Sequence, residues 1–217
     1  LIKNSQVQTL TDGVFQNEYG WWYVKSGMVD FSFNGIARRN GIPVMIKNGG
    51  MDRSFNGSAE FEGQTYHFID GLAVTDPLEA KAQSYSSDTD YLILVDCTNN
   101  RIGLFKGSKD NWRTVFIDYC TTGAPGMPTV KGEFEILGKM YYFDAENNTR
   151  CFYACRFYAD YYLHSVIYSR GSSPWTSTVQ DGRLGMNLSH GCVRNRLDNI
   201  IYIYENCPIG TKVVTFA

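Results

Sequence analysis

Residues 20–35 read Gly-Trp-Trp-Tyr-Val-Lys-Ser-Gly-Met-Val-Asp-Phe-Ser-Phe-Asn-Gly, and residues 41–57 read Gly-Ile-Pro-Val-Met-Ile-Lys-Asn-Gly-Gly-Met-Asp-Arg-Ser-Phe-Asn-Gly. A recurrence at a step of about 22 residues restricts this part of the chain to stacked copies of one small unit, because each copy buries its apolar face only against its neighbour. Each copy predicts a strand, a glycine turn and a second strand closed by Asn-Gly, a pair that tolerates positive φ and so suits hairpins. Tyr66-His67-Phe68-Ile69-Asp70-Gly71 reads as a degenerate third copy, and Asp12-Gly13-Val14-Phe15 as the end of an earlier one. Aligned on Gly20 and Gly41, Trp21, Trp22 and Tyr23 fall opposite Ile42, Pro43 and Val44. The aromatic residues of the first copy therefore either build a repeat core and spacer or offer rings to a ligand. His67, inside a strand-like run, reads as a structural histidine.

Beyond the repeats the texture changes. The turn signal Thr75-Asp76-Pro77 puts the boundary near 73–82 and divides the chain into 1–77 and 78–217. Segments 90–97, 101–106, 112–120 and 132–136 are strand-like and joined by short polar turns, which predicts antiparallel hairpins and a sandwich carrying its chemistry on end loops. Glycine, tyrosine and phenylalanine, at 21, 15 and 13 residues, outweigh helix formers and favour a mainly β protein. The clearest helix is short: in 195–206, Leu197, Ile200, Ile201 and Tyr204 keep helical spacing until Pro208 and Gly210 stop it. A formal net charge of -2 without a basic run argues against nucleic acid and anionic membranes as partners. No stretch reaches the roughly 20 apolar residues that a membrane span needs.

Asn187-Leu188-Ser189-His190-Gly191-Cys192-Val193-Arg194 is the candidate nucleophile seat. The glycine at Gly191, between His190 and Cys192, lets the backbone turn close against a ligand, and two successive amides can point at one oxygen. His164 lies upstream, across a polar connection, and is the candidate base; a cysteine with a distant histidine is the minimum for thiolate catalysis. The 195–206 helix, starting just after Cys192, is expected to turn its N-terminal dipole toward the thiolate. Cys97 and Cys120 sit nearly symmetrically about the 107–110 turn, as a disulfide or as two buried thiols, with Cys151, Cys155 and Cys207 as further non-catalytic cysteines. No CxxC pair is present, so metal-ligand spacing is poor and no cofactor is expected.

Two resemblances join these features. Residues 10–75 resemble the aromatic, glycine-rich cell-wall-binding repeats found beside wall enzymes of Gram-positive bacteria, which implies a wall glycan or a choline-like ligand as partner. Residues 88–217 resemble the YkuD-type L,D-transpeptidase catalytic domain. The hairpin of 90–106, Thr122-Gly123 with Pro128-Thr129-Val130-Lys131-Gly132-Glu133-Phe134, and Ser189-His190-Gly191-Cys192 carry that likeness; Val130 stands where proline is common and Arg194 where asparagine is frequent. The resemblance implies that Cys192 attacks the peptide bond before the terminal D-Ala of a peptidoglycan tetrapeptide stem, with His164 as base and the Ser165 carbonyl orienting its ring. It also implies a hairpin lid over 138–162 whose aromatic residues, Tyr153, Phe157, Tyr158 and Tyr161, are either cleft lining or core. Arg194 then either pairs with a stem carboxylate or forms a surface salt bridge, and Asn187 edges the pocket. The acyl acceptor is the side-chain amine of a second stem, giving a 3-to-3 cross-link. Water as acceptor makes the same machinery an L,D-carboxypeptidase or cysteine peptidase, and an inactive wall-binding protein is the other reading. An extracellular, wall-associated protein of a Gram-positive bacterium follows from this, with an export signal expected upstream of Leu1.

Overall fold

The computed structural model describes residues 12–217, together with the backbone of the short strands Ile2–Lys3 and Gln6–Val7; the rest of 1–11 lies outside the described residues. The chain forms two compact units, Leu1–Ala80 and Lys81–Ala217, both built mostly of strands.

In the first unit, side chains repeat their hydrogen bonds along with the sequence. Asp30 Oδ1 accepts from both the amide and the hydroxyl of Ser32 at 3.0 and 2.5 Å, and Asp52 Oδ1 does the same for Ser54 at 3.0 and 2.5 Å. Asn34 Oδ1 then takes the Asn48 amide at 2.9 Å, and Asn56 Oδ1 the Asp70 amide at 3.0 Å. Asp12 serves Ser26 in the same manner at 2.8 Å, which makes it the close of a preceding copy. The turn residues reached by these bonds are left-handed: φ is 49° at Asn48 and 75° at Gly49, 52° at Asp70 and 72° at Gly71. A Cβ on Gly71 would lie 2.1 Å from the Asp52 carbonyl oxygen, so glycine is required there by both conformation and space. These bonds also correct the register. With Asp30 on Asp52, Trp21, Trp22 and Tyr23 superpose on Pro43, Val44 and Met45, one residue later than the alignment on Gly20 and Gly41 suggests. Val14, Ala37, Val44 and Ile46 form the unit's buried centre. The first copy's rings are engaged around it: Arg39 lies 4.5 Å over Trp21, and Tyr23 stacks on Phe33 at 3.9 Å. His67 pairs through Nδ1 with the Ser58 hydroxyl at 3.3 Å.

The second unit is a β-sandwich. One sheet orders its strands Arg113–Tyr119, Arg101–Lys106, Tyr91–Asp96, Lys212–Phe216 and Gly132–Glu135. The other runs Val179–Asp181, Ile167–Ser169, Thr149–Tyr158, Tyr161–Ser165 and Val193–Asn195, with Gly138–Ala145 hairpinned onto Thr149–Tyr158. Ile93, Val95, Ile102 and Leu104 from the first sheet meet Phe157, Leu163 and Val193 from the second, and Ile200 and Ile203 of the helix Leu197–Asn206 pack on the same core. The hairpins expected from local turns form, but three pairings are parallel and remote: Tyr91–Asp96 with Lys212–Phe216, Thr122–Gly123 with Asn187–Ser189, and Tyr161–Ser165 with Val193–Asn195. All six cysteines are free thiols. Among the described residues no helix is long and apolar enough to cross a membrane.

Candidate active site

The parallel pair Tyr161–Ser165 and Val193–Asn195 assembles the site. Leu163 lies beside Val193 and His164 beside Arg194. Because side chains alternate along a strand, Leu163 and Val193 enter the core while His164 and Arg194 face the other way. There they line a cavity of about 440 Å³ with Cys192, Ser189, Cys151 and Asp181.

Cys192 ends a tight turn stapled by Ser189, whose hydroxyl accepts the Gly191 N–H at 3.0 Å and donates to the Cys192 carbonyl at 2.5 Å. Gly191 has φ 113°, and a Cβ there would lie 2.4 Å from Cε1 of Tyr161. The thiol points at the Asp160 carbonyl oxygen, 3.6 Å away. Burial raises its pKa above the ordinary thiol value, against the smaller opposing effects of the Tyr162 backbone N–H and the Arg194 charge. His164 is buried. Its Nδ1 donates to the Ser165 carbonyl at 2.6 Å, so Nδ1 carries the proton and Nε2 keeps its lone pair. Burial pushes the imidazole down to about 4, with Arg194 adding to the fall and the Ser165 carbonyl opposing it. The resting pair is therefore a neutral thiol and a neutral imidazole. The Ser165 side chain has other work: it accepts the Phe152 amide at 2.9 Å and donates to the Val166 carbonyl at 2.7 Å.

Arg194 pairs with Asp181 Oδ2 at 2.8 Å, and Arg183 Nε with Asp181 Oδ1 at 2.9 Å. Those hydrogen bonds, Arg183's first, hold the Asp181 carboxyl far below the usual carboxylate range. Two guanidinium groups share one carboxylate; Arg194 and Asp181 line the cavity, together with the carboxylate of Glu146.

Residues 90–215 match the model of the YkuD family, the L,D-transpeptidase catalytic domain. The chain belongs to that family. A comparison with curated proteins found no match. Among solved structures, the chain is similar to a fused Zn-dependent amidase/peptidase/peptidoglycan-binding domain-containing protein from Clostridium acetobutylicum, at 32% identity over 64% of this chain and 58% of that one, TM-score 0.52. It is also similar to an L,D-transpeptidase from Mycobacterium smegmatis (20% identity, 74% and 66% covered, TM-score 0.45) and to one from Stackebrandtia nassauensis (20%, 62% and 58%, 0.47). In each case the match spans less than two thirds of the other chain.

Within the YkuD domain, Cys192, His164, His190 and Arg194 come together at one cavity, with Ser165 and Gly191 supporting them from behind. The Gly191 amide is not available to an oxyanion, because Ser189 holds it. Three residues expected at the substrate are not among the lining of this cavity. Tyr153 is wedged between Tyr141 and Tyr204, at 5.1 and 5.3 Å. Tyr161 covers Gly191 from outside the cavity lining. Asn187 bonds Thr122 Oγ1 at 2.8 Å and edges a separate cavity of about 210 Å³. The lid contributes its tip instead, through Phe143, Glu146, Asn147 and Cys151, whereas Phe157 is core. The helix is likewise displaced: Val193–Asn195 and Arg196 stand between Cys192 and Leu197, so the thiol is not at its N-terminus. Asp181 escaped the sequence reading, although Asp181-Gly182-Arg183 is a legible turn.

Proposed function

We propose that the YkuD domain transfers an acyl group from one peptidoglycan stem to another through Cys192. The observation that supports this is a thiol and an imidazole that line one cavity, the imidazole carrying its proton on Nδ1 and keeping the Nε2 lone pair to act as base. In the donor half, the Cys192 sulfur bonds the carbonyl carbon before the terminal D-Ala, His164 takes the thiol proton, and the C–N bond breaks as that proton passes to the leaving amine. In the second half, the side-chain amine of another stem attacks the thioester, loses its proton to His164, and releases Cys192 as a 3-to-3 link forms. The Arg194 guanidinium in the cavity lining suits a stem carboxylate beside the scissile bond. The repeats, in this reading, keep the enzyme on the wall outside the cell, through a glycan or a choline-like ligand. Incubation with disaccharide-tetrapeptides and chromatography of the products tests the proposal. A 3-to-3 dimer with free D-Ala is expected; tripeptide without dimer would make the enzyme a carboxypeptidase, and unchanged tetrapeptide would leave a wall-binding protein.

A further inference from the structure

Thr129 belongs to the loop 124–131, between the strands Thr122–Gly123 and Gly132–Glu135. It is buried, and its hydroxyl makes two bonds of fixed direction. The Gly123 N–H donates to Oγ1 at 2.9 Å, and Oγ1 donates its single proton to the Gly191 carbonyl at 2.8 Å. The same loop holds the turn again where the Ala124 N–H meets the Ser189 carbonyl at 2.8 Å. Thr129 lines the smaller cavity with Asn187, whereas Cys192 and His190 line the larger one. A trans peptide points its C=O and N–H in opposite directions. The Gly191 carbonyl is drawn toward Thr129, so the N–H of Cys192, in the same peptide plane, is turned the other way. Among the described residues that N–H has no hydrogen-bond partner, while its neighbour at Gly191 is spent on Ser189.

We infer that Thr129 is a positioning residue: by holding the Gly191 carbonyl it aims the Cys192 backbone N–H at the oxygen of an acyl group forming on the sulfur. This rests on the reading of Cys192 as an acyl-accepting nucleophile. Losing one oxyanion donor slows such reactions by roughly a hundredfold or more, and misaiming it costs part of that.

The test compares two reactions at Cys192 in the whole chain. Acylation by imipenem passes through an oxyanion; alkylation by iodoacetamide, a displacement at saturated carbon, does not. Thr129→Val is expected to slow acylation at least about tenfold while alkylation stays within about twofold, and Thr129→Ser, which keeps the hydroxyl, to stay near wild type in both. Equal acylation by wild type and Thr129→Val would overturn the inference, as would a parallel fall in both reactions. If the valine variant does not fold, the serine variant decides: slow acylation with normal alkylation contradicts a role carried by the hydroxyl. Wild type that alkylates but never acylates removes the acyl-transfer reading itself, and the inference with it.

Discussion

The repeat unit and the YkuD domain hold their turns by different means. In the repeats, one device recurs: Asp30 with Ser32, Asp52 with Ser54, and Asp12, Asn34 and Asn56 each receiving an amide from the next turn. In the second unit, Lys81–Ala217, each bond is made once. Gln83 reads both backbone groups of Trp112 at 2.9 Å, Ser189 staples Cys192, and Ser165 turns His164. A repeated device spreads its energy over equivalent positions, so no single loss is decisive. A unique bond concentrates its energy, which suits a site where one misplaced group stops the reaction.

That contrast can be broken by substitution. The largest effect should come from Gln83→Ala, which leaves the Trp112 N–H and carbonyl buried without their partner; a loss of about 2–4 kcal/mol is expected by urea denaturation. Acid comes next. His164 stays neutral in the fold down to about 4, while an unfolded imidazole binds its proton near 6.5. The unfolded state therefore holds more protons between these values, and stability should fall by up to ~1.4 kcal/mol per pH unit as pH drops through that window. His164→Gln should flatten this slope, and an unchanged slope would count against a buried neutral ring. Gly49→Ala and Gly71→Ala should each cost more than ~1 kcal/mol by thermal unfolding, since both force a left-handed alanine against a backbone carbonyl. Smallest are Asp30→Ala and Asp52→Ala, each expected to lower the thermal midpoint slightly and by the same amount. Their equality sharpens the comparison; a clear inequality would mean that the two copies are not equivalent.

The two regions were also unequally legible. The repeats announced themselves because their turns are made by side chains, Asp, Ser and Asn before Gly, that the sequence displays. The hairpin strands Tyr91–Asp96, Arg101–Lys106 and Arg113–Tyr119 were readable from apolar runs between polar turns, and the helix from its spacing. What hydrophobic periodicity records is which face is buried, not which remote strand lies alongside. The parallel pairing that brings His164 beside Arg194 therefore had no local signal. Cys192 and His164 were singled out through the motif and its chemistry. The bonds that aim them end on the carbonyls of Ser165, Asp160 and Gly191, which every residue possesses, so no residue type betrays them. Tyr153 and Tyr161 stayed open between core and cleft for the converse reason: aromatic rings serve both equally well.

The most direct test of the account is intact-protein mass spectrometry of wild type, Cys192→Ala and His164→Ala after exposure to a disaccharide-tetrapeptide. The account predicts a mass increase on wild type equal to the stem acyl group without its D-Ala, mapped to Cys192, absent from Cys192→Ala and slowed by orders of magnitude in His164→Ala. An unmodified wild type with unconsumed substrate, or an adduct that persists in Cys192→Ala, would contradict it.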